Sequence, residues 1–406
     1  MFLPLRKITF TRYNADNSIN QNFTYDYVCD IEISKSYLTL TNTCKIVIPR
    51  KLIYQSGAPI NPTSEYKDYV QLPALGNEIK PQNGYVVGAD AMFRRGDSVK
   101  IDIGFYPNMQ TRFVGYISKV HSSLPITIDC EDSMWLLKQT NVIFPDPSTW
   151  QKKVKSKSTG SSTVLFNPNN VSLSQLLTGM MSFVKNPPKF KTVDDNMDLG
   201  HLIINNDTAA QTLQILKDRY GLFASFRDDG VLYVGFGNNY ANTAIQSIQM
   251  DGNNGIVINN DTLQWTNARD VIIKVRGKSL NTTSNLYTIY EAYMLNNQLV
   301  GKFIDNPSQE DKKFSGDVIE QITINQSKAG LRKWVDNMLP TLTYNGWRGD
   351  IHTIGEPAVS DGDVIKLTSN KMPERNGSYL VKAVKITDGT NGYFQTISLG
   401  IALQNQ

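Results

Sequence analysis

Apolar and polar residues alternate with a period of two in many short runs, the signature of half-buried β-strands. In the first third these are Lys45 to Ile48, Ser98 to Ile103, Arg112 to Ile117 and Ile126 to Cys130. Later ones are Val231 to Val234, Val271 to Val275, Tyr379 to Val384 and Tyr393 to Ile397. Gly96-Asp97, Asp229-Gly230, Asp361-Gly362 and Asn376-Gly377 supply the turn chemistry between them.

Three stretches switch to a helical period. Ser172 to Val184 opens with the capping box Ser172/Gln175 and lines up Leu173, Leu176, Leu177, Met180 and Val184 before Pro187-Pro188. Thr208 to Tyr220 repeats the design with Thr208/Gln211, the stripe Leu213, Leu216 and Tyr220, and Gly221 as C-cap. Ser327 to Leu339 carries Leu331, Trp334, Val335, Met338 and Leu339 on one face and is expected to stop at Pro340. Such stripes ordinarily face a core, which for Trp334 is expected to be the C-terminal barrel.

Two segments break the pattern. Residues 50–92 are rich in Pro, Asn, Gly and Tyr and read as an insertion with little periodicity. Residues 145–170 contain Lys152, Lys153, Lys155 and Lys157 followed by a Ser/Gly run. That composition reads as a basic linker, either simply solvated or docking on an acidic face of a neighbouring component.

The pattern therefore gives a mainly β chain with α+β insertions. One local motif recurs. Gly96-Asp97 and Gly362-Asp363 each lead into an alternating strand, with Gly suited to positive φ and Asp to bonding local amides. Two copies at opposite ends of the chain point to two related β-barrel domains plus a helix-containing middle region, rather than to a short-period repeat. The expected division is 1–140 for the first barrel with its insertion around 50–92, and 141–260 for the basic linker and α+β middle. The second barrel then spans 261–406, with a packing helix around 327–339.

Length and charge narrow the function. At roughly 150 residues per domain, 406 residues make two or three domains. With 40% hydrophobic and 19% charged residues, a collagenous, coiled-coil or wholly disordered chain is excluded. Forty-one basic against 37 acidic residues leave +4, which is no footprint for specific nucleic-acid binding. No apolar run approaches the ~18 residues of a spanning helix, and Met1 to Lys7 lacks a secretory pattern, so membrane insertion is not expected.

Candidate chemistry is sparse. Cys29, Cys44 and Cys130 form no C-x-x-C pair and read as small buried hydrophobes. His121, His201 and His352 lie in no zinc motif, so no metal or cofactor is expected. Glu131 with Asp132, or Asp361 with Asp363, has the form of an acid/base pair, but Asp361 and Asp363 sit where turns need Asp. Arg95-Gly96-Asp97 and Arg348-Gly349-Asp350 are RGD tripeptides, and Asn206-Asp207-Thr208 is a glycosylation sequon, yet all adjoin strands or a helix cap. No catalytic, cofactor-binding or metal-ligating residue is assigned.

The C-terminal series Gly346-Trp347-Arg348-Gly349-Asp350, Ile354-Gly355-Glu356-Pro357, Asp361 to Leu367, Asn376 to Val384 and Gly392 to Gly400 resembles the baseplate hub proteins of phage tails. These are the Mu-type and late-control-D-type hubs, related to the base of type VI secretion spikes. Phe113 to Ile117 with Cys130-Glu131-Asp132 looks like that family's first barrel. Thr208 to Phe223 and Val275 to Ser279 also sit where the family has matching elements. The resemblance implies a non-enzymatic homotrimer whose ring joins the tail tube to a central spike or needle protein and surrounds a channel. Other baseplate components are the remaining partners. The expected location is the virion tail baseplate, with host cytoplasm during assembly. Two alternatives stay open: a tail-associated cell-wall-degrading enzyme, or a receptor-binding tail protein using aromatics such as Tyr66, Tyr69 and Tyr85 to stack on sugars.

Overall fold

The computed structural model describes residues 4–49, 93–142, 172–251 and 261–403, less 27, 122–124, 193–195, 201, 203, 205–206, 237–244, 268–271, 296–297, 305–313 and 315. It also gives the backbone of four short strands between 51 and 87. The lysine-rich stretch 152–162, Tyr66, His201 and Asn206 lie outside the described residues.

The first strands are β1 (Pro4–Tyr13), β2 (Ile19–Tyr25), β3 (Asp30–Ser36) and β4 (Thr43–Ile48). Within the stretch read as lacking periodicity the described strands form antiparallel pairs, β5 (Lys51–Ile53) with β6 (Tyr69–Gln71) and β7 (Asn77–Lys80) with β8 (Gly84–Val87). Their strands are three or four residues long, too short for an alternation to register in sequence. β9 (Ser98–Phe105), β10 (Asn108–His121), β11 (Ile126–Asp132) and the short α1 (Met134–Lys138) complete the first part.

The middle holds α2 (Leu173–Met181), β12 (Phe190–Thr192), α3 (Ala209–Tyr220), β13 (Phe223–Phe226) and β14 (Leu232–Gly235). Both predicted capping boxes form, and Gly221 ends α3 at φ +62°. After β15 (Ile245–Gln249) and β16 (Gln264–Thr266) come β17 (Ile273–Asn281), β18 (Leu286–Leu295), β19 (Gln298–Ile304) and β20 (Asp317–Ile324). These last four form one sheet, covered by α4 (Lys328–Leu342). α4 runs through Pro340 instead of stopping there. A proline so close to the end removes one amide bond, and the Thr343 N–H still reaches Leu339 O at 3.1 Å. The chain closes with β21 (Gly346–Arg348), β22 (Asp350–Ile354), β23 (Val364–Thr368), β24 (Gly377–Gly389) and β25 (Gly392–Leu403).

The protein is mainly β. Twelve strands join one long sheet along the path β15-β23-β24-β3-β4-β11-β10-β9-β1-β2, with β25 also paired to β24 and β22 to β25. The join between the chain's two ends is β3 against β24, from Ala383↔Ser36 to Gly389↔Asp30. Apolar residues of both ends share one core, including Ile8, Ile33, Ile101 and Ile128 with Ile351, Ile365, Ile386 and Ile397.

A second core gathers Leu176, Met180, Leu213, Leu216 and Tyr220 with Val275, Ala292, Leu331, Trp334 and Val335. Part of the surface that buries Trp334 lies within the span 261–406 expected for the second barrel, and part lies in the middle region. The indole is buried against the middle helices and the β17–β20 sheet, not against the final strands. Gly277 shows why: a Cβ there would lie 2.6 Å from Leu331, so the glycine lets α4 seat directly on β17.

Candidate functional site

The Gly-Asp turn is built twice with the same bonds. In the first copy the Gly96 N–H donates to Ile117 O at 2.8 Å, and the Ile117 N–H returns a bond to Asp97 O at 2.9 Å. In the second the Gly362 N–H donates to Val381 O at 2.9 Å, and the Val381 N–H returns one to Asp363 O at 2.8 Å. Each Asp carboxylate also accepts from the amide three residues earlier, Arg94 at 2.9 Å and Ser360 at 2.8 Å. Both glycines have positive φ, +92° and +78°, which L side chains rarely adopt.

The likeness extends beyond the turn. β10 slips register against β11 between Ile117 and Lys119, and β24 slips against β25 between Val381 and Ala383. The bulge therefore follows the same turn-bonded residue in both copies. Around it the strand orders match as well: β4-β11-β10-β9 in one array and β22-β25-β24-β23 in the other, every neighbour antiparallel.

The copies differ one residue before the glycine. Arg95 is exposed, whereas Asp361 is fully buried. Asp361 lies in a polar junction where three parts of the chain meet. Its Oδ2 accepts from Ser225 Oγ at 3.2 Å, and its Oδ1 has no hydrogen-bond partner. Lys35 of β3, 4% exposed, pairs with Asp228 of the β13–β14 turn and lies 3.5 Å from Ser360 Oγ, which also bonds Asp228. Nearby, the Asn42 side chain donates to Phe226 O at 3.0 Å, and the Asn42 N–H donates to Asp132 Oδ2 at 3.0 Å. Burial pushes the Asp361 carboxyl up to about 6, against the pull of Lys35. Burial likewise pushes Asp132 up to about 7, two amide bonds opposing it.

No family model and no curated protein matches the sequence. Solved structures do match. A tail protein from Neisseria meningitidis MC58 aligns over 98% of this chain and 96% of its own, with a TM-score of 0.55 at 11% identity. The 43 kDa tail protein of prophage MuSo2 from Shewanella oneidensis aligns over 97% and 98%, with a TM-score of 0.50 at 12% identity. The chain has the fold of phage tail proteins. A weaker likeness, at a TM-score of 0.44 and 9% identity, is to an E. coli component of the type VI secretion system, over 93% of this chain and 74% of that one.

Within this tail fold the sequence candidates fall apart as chemical pairs. Glu131 and Asp132 are successive residues of β11 and point to opposite faces. Glu131 meets Lys138 at 2.7 Å, while Asp132 accepts from the Met134 amide at the start of α1. Asp363 bonds its own turn, and Asp361 interacts instead with Asp132 across the junction. Both of these carboxyls are closed to solvent, so a substrate has no approach to the pair.

The remaining candidates are absorbed by strands. Cys44 and Cys130 are buried cross-strand neighbours whose thiols burial pushes up, away from reactivity, and Cys29 is a half-buried free thiol. His121 meets Asp129 at 2.6 Å, and His352 meets Thr396 Oγ1 at 2.8 Å. Of the RGD tripeptides, Asp97 is buried in a bidentate pair with Arg12 at 3.0 and 2.8 Å, and Asp350 accepts from Ser398 at 2.6 Å. Among the described residues no cluster of three His, Cys, Asp or Glu could hold a metal, and no helix is long and apolar enough to cross a membrane.

Sequence reasoning missed Arg12, Lys35, Ser225 and Asp228. A signal existed for two of them. Arg12 continues the buried phase of Ile8 and Phe10, and Lys35 that of Ile31 and Ile33. A charge on the apolar phase of a strand marks a buried partner elsewhere.

Proposed function

We propose that the protein is a structural, non-enzymatic baseplate hub of a phage or prophage-derived tail. Three copies form a ring that joins the tail tube to the central spike and surrounds a channel. The observation that carries this reading is the twofold strand array within a tail-protein fold. Three chains with two such arrays each present six near-equivalent contacts, which matches a sixfold tube end to a threefold spike. The arrays correspond to the two barrel domains of the proposed division, 1–140 and 261–406, around the middle region 141–260. A net charge of +4 suits a channel that passes nucleic acid without holding it. The partners are other copies of the chain, the tube protein, the spike and further baseplate components. The location is the virion baseplate after assembly in the host cytoplasm.

The test is the mass of the full chain by light scattering, alone and co-expressed with the spike protein of the same tail, with negative-stain images. A trimer with threefold symmetry and a central hole is expected. A monomer under both conditions overturns the reading.

A further inference from the structure

The two arrays share their register as well as their strand order. Ser98↔Tyr116 to Ile101↔Phe113 in the first corresponds to Val364↔Leu380 to Leu367↔Gly377 in the second. Past the bulge, Lys119↔Asp129, Val120↔Ile128 and His121↔Thr127 correspond to Ala383↔Ser398, Val384↔Ile397 and Lys385↔Thr396. Asp129 then pairs with Lys45 and Ser398 with Asp350, so β4 corresponds to β22.

The likeness reaches one strand further. Lys45 lies opposite Glu32 of β3, and the Asp350 carbonyl accepts from the Thr262 N–H at 3.0 Å. The pairs Gln264↔Arg348, Trp265↔Trp347 and Thr266↔Gly346 carry on from there. Thr262 thus stands where Glu32 does, and β16 stands where residues 34–36 of β3 do. Inside the chain those β3 residues join the arrays: Ser36, Lys35 and Ser34 pair with Ala383, Val384 and Lys385. The corresponding residues of the first array are Lys119, Val120 and His121.

Both halves of a second such join are therefore built, and the chain does not close them on itself. Among the described residues β16 pairs only with β21, and residues 119–121 pair only with β11. Open strand edges are templates for another chain. Trp265 is 54% exposed, whereas Lys35, its counterpart in the completed join, is 4% exposed.

We propose that the second join forms between copies, β16 of one pairing antiparallel with the end of β10 in the next. The register is Thr266 to Lys119, Trp265 to Val120 and Gln264 to His121. It continues the sheet already carried across the β3–β24 join, so every array meets its neighbours through the same contact. A head-to-tail contact of this kind either closes into a ring or runs on as a filament. Closure at three copies rests on the hub reading above.

The test is a cysteine pair in the full chain, with Cys29→Ser removing the half-buried thiol. Lys119→Cys with Thr266→Cys puts thiols on directly opposed residues, whose Cα atoms stand about 4.5–5.5 Å apart, within disulfide reach. Oxidised glutathione should link this variant into two- and three-chain species on a non-reducing gel, and neither single variant should link. Lys119→Cys with Gln264→Cys is two residues out of register, about 7–8 Å apart, and should not link. Equal linking of the two pairs, or a link formed within one chain, overturns the proposal. Light scattering separates it from the hub reading: a threefold trimer without the 119–266 link overturns this join alone. A monomer that does not link overturns the join and the ring together.

Discussion

Asp97 offers a sharp test of how the first array is held. Its carboxylate makes two bonds to Arg12, at 3.0 and 2.8 Å, and a third to the Arg94 amide at 2.9 Å. Both partners are nearly closed to solvent, 7% exposed for Arg12 and 6% for Asp97. Asp97→Ala therefore removes the carboxylate that pairs with a guanidinium in the protein interior, and breaking a buried pair typically costs about 3–5 kcal/mol. The lost amide bond adds to this, on the order of 1 kcal/mol.

Arg12→Met combined with Asp97→Leu should recover most of the loss, because replacing a whole buried pair by apolar groups is often close to neutral. Urea unfolding followed by tryptophan fluorescence is a suitable assay. The Trp135 ring lies against Gly96, 3.1 Å from where a Cβ would stand, so it reports on this turn. A loss below about 1 kcal/mol for Asp97→Ala, or a double variant no better than the single, would refute the buried-pair account. It would also revive the reading of Arg95-Gly96-Asp97 as an exposed recognition tripeptide.

Other outcomes can be checked in parallel. Trp334→Ala should cost about 3–5 kcal/mol, the usual range for a truncated core aromatic, and a loss under ~1 kcal/mol would mean the stripe faces a partner. Trp334→Phe should cost less, since the indole Nε1 is buried without a hydrogen-bond partner. Burial raises Asp132 to about 7 and Asp361 and Asp388 to about 6, all from 3.8. The folded chain thus holds these protons more tightly than the unfolded chain, and stability falls as pH rises from about 4 to about 7. The thermal midpoint should be higher at pH 5.5 than at pH 8, and the reverse order contradicts the assignment. A cell-wall suspension should keep its turbidity with the pure protein; clearing that Glu131→Gln abolishes would point to the enzyme reading.

Much of the secondary structure was legible because it is local. The capping boxes at Ser172 and Thr208, the αL glycine at 221 and the alternation of β9 to β11 rest on residues a few positions apart. The Gly-Asp turns could be read for the same reason, positive φ and a short carboxylate being properties of two adjacent residues. Alternation also told which face of each strand is buried. It could not tell which strand lies beside it, and the pairing of β3 with β24, which ties the two ends into one sheet, leaves no mark in either run.

The tertiary structure alone decided three things. It placed α4 with the middle core, because an apolar stripe specifies burial but not the surface that buries it. It separated the adjacent carboxyls Glu131 and Asp132 and brought Asp132 to Asp361. And it gave Lys35 and Arg12 their acidic partners, Asp228 and Asp97, at sequence separations of 193 and 85. The sequence determined that these charges stand on buried faces; only the packed chain decides what neutralises them, since Coulomb partners are chosen by distance in space.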